Sequence, residues 1–384
     1  MVEGLLEENS LKELSMIKKG YSYPRNFYGK MRILIVHPCK GFYGGAEEVL
    51  FQLVSYLGNQ GHEVQLVTKD APQELVDKLV SKGPTGIYDW HSFRMMRYWV
   101  QKLSKWADVV NVHNFPATLT TFPKKVPTVY MCNEPAELFT NWKRKPIEAF
   151  NRWWVRESKM KVVVADQMNS NRFKEIYRIE PSIIPYGVDY EFWSQGRGIQ
   201  KMVKDYLRLL QVGTITPYKN QLESIRTLEH LVDEGINASL ALVGSITDRY
   251  YYERVLKPFI EDYGLGGYIE VAGQLSHEEL RDLYKSCDIL LHPAQGQGGW
   301  LVPFEAMCAG LPVITTPTFT ASSIIEKDRL GIVTNDLVSG IEQALDGRID
   351  TEKAKEWVKE NLTWGKFGES MVKVFKEALN GRDL

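Results

Sequence analysis

At 384 residues, 44% apolar and 25% charged, the chain is long enough for two domains with substantial cores, and nothing in it reads as disordered or repetitive. A formal net charge of -1 argues against general nucleic-acid binding. Cys39, Cys132, Cys287 and Cys308 are scattered without C-x-x-C or Cys/His spacing, no apolar run approaches the ~18 residues that span a bilayer, and the N-terminus lacks a signal-peptide core, so composition predicts a soluble cytoplasmic protein without structural zinc.

Residues 1–30 form a polar extension with a short amphipathic helix through Leu5, Leu6, Leu11 and Leu14, and the fold is expected to begin at Met31. From there the pattern is a buried strand (RILIV), a glycine loop (GFYGGAEE), an amphipathic helix to about Asn59 and a second strand (EVQLV). A strand, glycine-rich turn and helix make the phosphate-binding unit of a doubly wound sheet. A helical aromatic stretch precedes the strand DVVNVH, which ends at His113, at the carboxyl end where such sheets bind ligands. The strand VPTVYMC then leads to Asn133, Glu134 and Pro135.

Residues 138–161 interleave Lys143, Arg144, Lys145, Arg152, Arg156, Lys159 and Lys161 with Phe139, Trp142, Phe150, Trp153 and Trp154. Two readings stand side by side: a surface for an anionic membrane or a lipid-phosphate acceptor, or a helix that packs its aromatics on the core and solvates its charges, with Pro146 breaking the helical wheel. KVVVA, a short helix and SIIPYGVD complete the first half, and Gly196 and Gly198 mark a flexible connection between about Val188 and Gln200. The second half repeats the alternation with LRLLQVG, a helix from Asn220, ASLALVG, a helix from about Tyr250, YIEVAG, a helix from Ser276 capped by Glu279, and DILLH.

The most informative stretch follows, HPAQGQGGWLVPFEAMCAGLPVI, residues 292–314. A glycine-rich loop opens into a short helix expected to begin at Pro303, so that Glu305 falls in its first turn, with Gly310 and Pro312 ending it before the strand VITT. Unpaired N–H groups and the positive end of the helix dipole suit a phosphate, and a carboxylate beside it suits ribose hydroxyls.

This segment resembles the signature of retaining GT-B glycosyltransferases of the GT4 type, E-G-F-G-L-x-x-x-E-A-M-A-x-G-x-P-V. The resemblance covers about Met31 to Leu379. It implies an α/β GT-B fold, two Rossmann-like domains facing a central cleft: an acceptor domain over 31–190, a nucleotide-sugar donor domain over 200–362, and a helix of about 364–380 returning to the first. Glu305 stands at the ribose-binding Glu, and Gln297 replaces the Glu beside the transferred sugar, so an amide stands where the family has a charge. Gly298, Gly299 and Trp300 replace G-F-G, followed by Leu301. Gly44 and Gly45 match the G-G-x-E loop that faces donor phosphates and acceptor. His113 matches the active-site His that contacts the transferred sugar. Asn133 and Glu134 stand in the H-E-P position near the acceptor. In VGTITPYKNQ, Lys219 matches the Lys that neutralises the donor diphosphate, Thr214 replaces an Arg, and Gly244 lines base and ribose.

The expected activity is transfer of a sugar, with retention, from a nucleoside diphosphate sugar (GDP- or UDP-linked) to an acceptor hydroxyl on a glycan or lipid-linked carrier, with His113, Lys219 and Gln297 at the reacting centre. No Asp-x-Asp pair occurs, so no metal clamp and no further cofactor is expected. The protein would work in the cytoplasm, with the inner membrane face reached through residues 138–161. The alternative, resting on the replacements at Thr214, Asn133 and Gln297, is a non-catalytic GT-B protein that binds a nucleotide sugar or stabilises a partner transferase. A GT-B sugar-nucleotide epimerase is a more remote third. Sugar, base, acceptor and oligomeric state are not legible.

Overall fold

The structure, a computed structural model, describes residues 29–39, 41, 43–82, 86–123, 126–133, 142–195, 206–296 and 300–381. The helix expected near Leu5 to Leu14 lies outside them. The chain forms two compact units, one of residues up to Val163 and from Met371 onward, the other Val164–Ser370.

Among the described residues the first sheet has seven strands: β1 (Arg32–Pro38), β2 (Glu63–Lys69), β3 (Gly86–Asp89), β4 (Val109–His113), β5 (Thr128–Met131), β6 (Lys161–Val164) and β7 (Ser182–Ile183), in the order β3-β2-β1-β4-β5-β6-β7. The second has six: β8 (Leu207–Val212), β9 (Ala238–Val243), β10 (Ile269–Gly273), β11 (Ile289–His292), β12 (Val313–Thr315) and β13 (Ile332–Val333), in the order β10-β9-β8-β11-β12-β13. Registered pairs such as β1 with β4 and β8 with β11 are parallel. Both faces of the central strands are covered, which is why they read as largely apolar runs without strict alternation. In β8, Leu207 and Leu209 enter one core layer with Leu240, Leu242, Ile289 and Leu291, while the intervening Leu210 and Val212 are equally buried from the other side. Each such side chain contributes about 1.5–3 kcal/mol on burial.

An aspartate before the central strand sets the register in both sheets. Asp108 accepts the Arg32 amide at 2.9 Å, and Asp288 accepts the Arg208 amide at 2.8 Å, so each joins the start of one strand to the start of its parallel neighbour. Without these carboxylates the amides at the strand entries would lose a partner.

The helices that frame the sites are α1 (Gly45–Asn59), α2 (Lys145–Glu157), α3 (Gln167–Tyr177), α4 (Gln221–Asp233), α5 (His277–Ser286), α6 (Leu301–Cys308) and α7 (Trp364–Asn380). The Ser276 and Glu279 capping box forms as expected, with Ser276 N to Glu279 Oε2 at 2.8 Å and Glu279 N to Ser276 Oγ at 3.2 Å. Two expectations are corrected. Pro303 is the third residue of α6, not the first, and Glu305 lies in the second turn. The N–H groups of the opening turn have no intrahelical partner, so proline costs no hydrogen bond there. Pro146 does not break the wheel of α2; it stands in the first turn and helps to start the helix.

Candidate functional site

In an open parallel sheet, ligands collect at the carboxyl ends of the strands where the strand order reverses. That point lies between β1 and β4 in the first sheet and between β8 and β11 in the second. Among the described residues singled out from sequence, His113 ends β4 and Lys219 lies on the turn after β8.

In the first unit, His113 ends β4 and is 1% exposed. Its Nε2 meets Asn111 Oδ1 at 2.8 Å and its Nδ1 meets His37 Nδ1 at 2.9 Å. Asn111 Nδ2 donates to Val129 O, so its oxygen is the atom facing His113, which therefore carries its hydrogen on Nε2. Burial, with His37 alongside, holds His113 well below the usual histidine range, so the ring is neutral. The glycine loop joins this network from the other side. The Gly44 amide donates to Glu47 Oε2 at 3.1 Å, and Glu47 Oε1 lies 3.6 Å from His37 Nε2. Gly44 is the N-cap of α1 and Gly45 its first residue. Asn133, after β5, donates its amide to Asn114 Oδ1 at 3.0 Å, which places it beside the loop that leaves β4. Glu134 lies outside the described residues.

In the second unit, Lys219 is 5% exposed and sits on a short turn of 3-10 helix, Pro217–Lys219, just before α4. Its ammonium lies 3.3 Å from where a Cβ on Gly213 would stand, so the lysine folds back over the end of β8. Gly244, at φ +141°, ends β9 so close to that turn that a Cβ would fall 2.2 Å from Gly213 O. Only glycine permits this approach. Thr214 follows, its carbonyl accepting Gln221 Nε2 at 3.0 Å.

The signature loop leaves the neighbouring strand β11 and is tied directly to the lysine turn, Gln295 N donating to Tyr218 O at 2.7 Å. Lys219 and this loop therefore share one corner of the sheet. Gln297, Gly298 and Gly299 lie outside the described residues. Trp300 caps α6 and is buried; its ring packs at 5.2 Å on Tyr186 and 4.8 Å on Phe304, and its buried indole N–H has no acceptor among the described residues. Leu301 is buried beside it. Glu305 accepts a hydrogen bond from Tyr284 Oη at 3.2 Å, which fixes one carboxylate oxygen. Burial and the adjacent Glu305 push the Tyr284 phenol well above its usual range, so it stays a donor.

Four residues of these constellations were not singled out from sequence: His37, Glu47, Tyr284 and Arg172. The signal for His37 was available, since it lies one residue before the end of β1, beside β4. Arg172, on α3, faces the signature loop, its guanidinium 3.8 Å from where a Cβ on Gly296 would stand and its Nη1 buried without an acceptor among the described residues. Nothing in sequence spacing reveals that approach.

Two family models match the chain in tandem, Glycosyltransferase Family 4 over residues 43–192 and Glycosyl transferases group 1 over residues 195–364. The chain belongs to the GT4-type glycosyltransferases. The chain is 24% identical over 232 residues to the D-inositol 3-phosphate glycosyltransferase of Paenarthrobacter aurescens, spanning 56% of each chain, so it covers about half the length of that relative. It is 26% identical over 303 residues to the lipopolysaccharide glucosyltransferase WaaG of Escherichia coli, covering 71% of this chain and 77% of WaaG. Among solved structures, Anabaena HepE in complex with UDP and glucose superposes with a TM-score of 0.74 at 16% identity, covering 90% of this chain and all of HepE. That likeness is one of fold, and the fold is GT-B.

Proposed function

We propose that this chain transfers a sugar from a nucleoside diphosphate sugar to an acceptor hydroxyl, with retention at the anomeric carbon and without a metal clamp. The observation that carries this reading is the hydrogen bond from Gln295 to Tyr218, which brings the Lys219 turn and the loop opening α6 to a single switch point. Lys219 neutralises charge that builds on the leaving diphosphate, and the helix dipole of α6 acts in the same sense. Glu305, oriented by Tyr284, accepts from the ribose hydroxyls. In a retaining transfer the leaving phosphate takes the acceptor's proton on the same face. No general base is then required of His113, in keeping with its neutral ring and two engaged nitrogens. Its role is to shape the sugar pocket. UDP and glucose bound to HepE make UDP-sugars the first donors to try.

The experiment is thermal stabilisation by UDP-, GDP- and ADP-sugars without added magnesium or manganese, followed by product analysis with the donor that binds. Ligand at 100 times its dissociation constant stabilises the native state by about 2.7 kcal/mol. Selective stabilisation with sugar transfer supports the reading. Stabilisation without transfer to any acceptor favours the nucleotide-sugar-binding alternative, and no stabilisation overturns both.

The acceptor side is proposed to meet an anionic lipid surface. Helix α2 buries Trp154, Val155 and Asn151, and leaves Ile147, Phe150 and Trp153 exposed along one face, with Trp142 exposed just before it. The packing reading holds for Trp154, while Trp142, Phe150 and Trp153 face solvent and are the aromatics on which the membrane reading rests; Phe139 lies outside the described residues. Arg152 and Arg156 lie along the same helix, and Lys143 to Lys145 lead into it. Exposed aromatics flanked by cations suit the headgroup layer, each basic residue near it contributing about 1 kcal/mol. Among the described residues no helix is long and apolar enough to cross a membrane. Flotation with vesicles containing anionic lipid, and its loss in the double variant Phe150→Ala and Trp153→Ala, is the test; equal flotation of both proteins removes α2 from membrane contact.

A further inference from the structure

Beneath the glycine loop of the first unit, His37, Cys39 and Glu47 form a cluster that the transfer reaction does not use. All three are buried, at 2%, 5% and 5% exposure, and their ligand atoms lie within 4.8 Å of one another. Imidazole nitrogen, thiolate and carboxylate form a donor set suited to zinc. The other buried cysteines, Cys132, Cys287 and Cys308, belong to no such group among the described residues.

The hydrogen-bond pattern points the same way. Asn111 fixes the hydrogen of His113 on Nε2, so the Nδ1 of that neutral ring is an acceptor. His37 must then donate from its own Nδ1 across the 2.9 Å contact. That leaves His37 Nε2 as the ring nitrogen directed toward Glu47 Oε1, 3.6 Å away. A buried ring nitrogen and a carboxylate held this close call for a positive charge between them, which a proton or a metal cation can supply. A separation of 3.6 Å is close to the ~3.4 Å between two ligands of a tetrahedral zinc ion with bonds of about 2.1 Å.

The geometry points to a zinc-binding site in which His37 Nε2, Cys39 Sγ and Glu47 Oε1 are three ligands and solvent supplies the fourth. The charges close, since a thiolate and a carboxylate neutralise the dication in a buried setting. The outer partners are also in place. His113 accepts the hydrogen on the far side of the His37 ring, and the Gly44 amide holds Glu47 Oε2 at 3.1 Å. Such partners orient ligands and raise their basicity. The ion would pin the segment from His37 to Glu47 to the end of β1, and so hold the glycine loop at the switch point. Spacing alone does not reveal the site, because a His-x-Cys pair followed by Glu eight residues later matches none of the familiar zinc spacings.

The test uses the full chain as purified. Elemental analysis should find about one zinc per chain after dialysis, as expected for a site with three protein ligands. Replacement by cobalt should give a thiolate-to-cobalt charge-transfer band in the near ultraviolet. The band should vanish in Cys39→Ser and persist in Cys287→Ser, which alters a buried cysteine outside the cluster. Glu47→Gln, checked for folding by circular dichroism, should lower the zinc content and the melting temperature together. Absence of bound metal after incubation with excess zinc or cobalt overturns the site and leaves His37 and Glu47 sharing a proton. A cobalt band that survives in Cys39→Ser overturns it equally.

Discussion

The amide of Gln295 donates to the carbonyl of Tyr218 at 2.7 Å, joining the loop after β11 to the turn after β8. Lys219 follows Tyr218 directly, so this bond sets the distance between the ammonium and whatever the signature loop holds. Lys219→Ala should therefore lower turnover by about 10²-fold, the scale of losing one preorganised charge-stabilising group, while nucleoside diphosphate affinity falls much less. Steady-state kinetics beside calorimetric titration of the nucleotide separate the two effects. Unchanged turnover removes Lys219 from the mechanism.

Glu305 and Tyr284 make a second separable pair. Glu305→Ala removes the acceptor for ribose hydroxyls, a contact that donor and free nucleotide share, and both should bind about 10- to 100-fold more weakly, the range for a hydrogen bond to a charged group. Tyr284→Phe leaves the carboxylate in place and deletes only the donor that orients it, so its effect should be smaller and of the same sign. Equal, wild-type nucleotide affinity in Glu305→Ala would show that the ribose is held elsewhere.

The close approach of Gly244 to Gly213 gives a prediction about stability. Gly244→Ala places a methyl group 2.2 Å from Gly213 O, while that residue's amide is fixed to Val243 O at 2.8 Å, so the strand ends must separate. The expected cost is about 2–4 kcal/mol. Gly235→Ala, at φ +77° with nothing within 4 Å, is the control, and should cost only the backbone strain of about 1 kcal/mol. Urea denaturation compares them, and similar midpoints would mean that the crowding at Gly244 is relieved without cost.

Much of the architecture was legible because parallel strands buried on both faces are largely apolar runs and several of their helices carry clear caps. RILIV, DVVNVH, LRLLQVG and DILLH all became central strands, and Ser276 capped its helix with Glu279. The short edge strands Gly86–Asp89 and Ile332–Val333 were not singled out, since two to four residues carry too little periodicity to stand apart from loop. The start of α6 was misplaced because proline is tolerated throughout the unpaired first turn, so Pro303 does not fix which of its positions it occupies. Within the sites, residues adjacent in a motif were found, whereas partners assembled by packing, such as Tyr284 against Glu305 across 21 positions or Arg172 against Gly296, leave no trace in spacing. His113 shows the intermediate case. Its place at a strand end was evident, but its engagement with Asn111 and His37 depends on side-chain geometry.

Asp166 supplies a pH prediction. It caps α3 through Asn169 N at 2.8 Å and meets Asn169 Nδ2 at 3.0 Å, yet burial outweighs these bonds and the one with Thr320 and raises its carboxyl above the usual aspartate range to about 6. A carboxyl whose folded pKa exceeds its unfolded value binds more protons when folded. Its stabilising contribution is complete below the unfolded pKa and is lost as pH rises through about 6. In Asp166→Asn the amide oxygen can still cap Asn169 N, and once the Asn169 amide turns over, its Oδ1, which has no donor among the described residues, can accept from the new Nδ2. The variant therefore keeps the cap without having to ionise. Other groups titrate in the same range, so the quantity to read is the difference in unfolding free energy between the two proteins. That difference should favour the variant by roughly 1–3 kcal/mol more at pH 7.5 than at pH 4, with the change centred between about pH 4 and 6. Urea unfolding across that range measures it, and a difference that stays constant with pH would mean that Asp166 is ionised in the folded protein throughout.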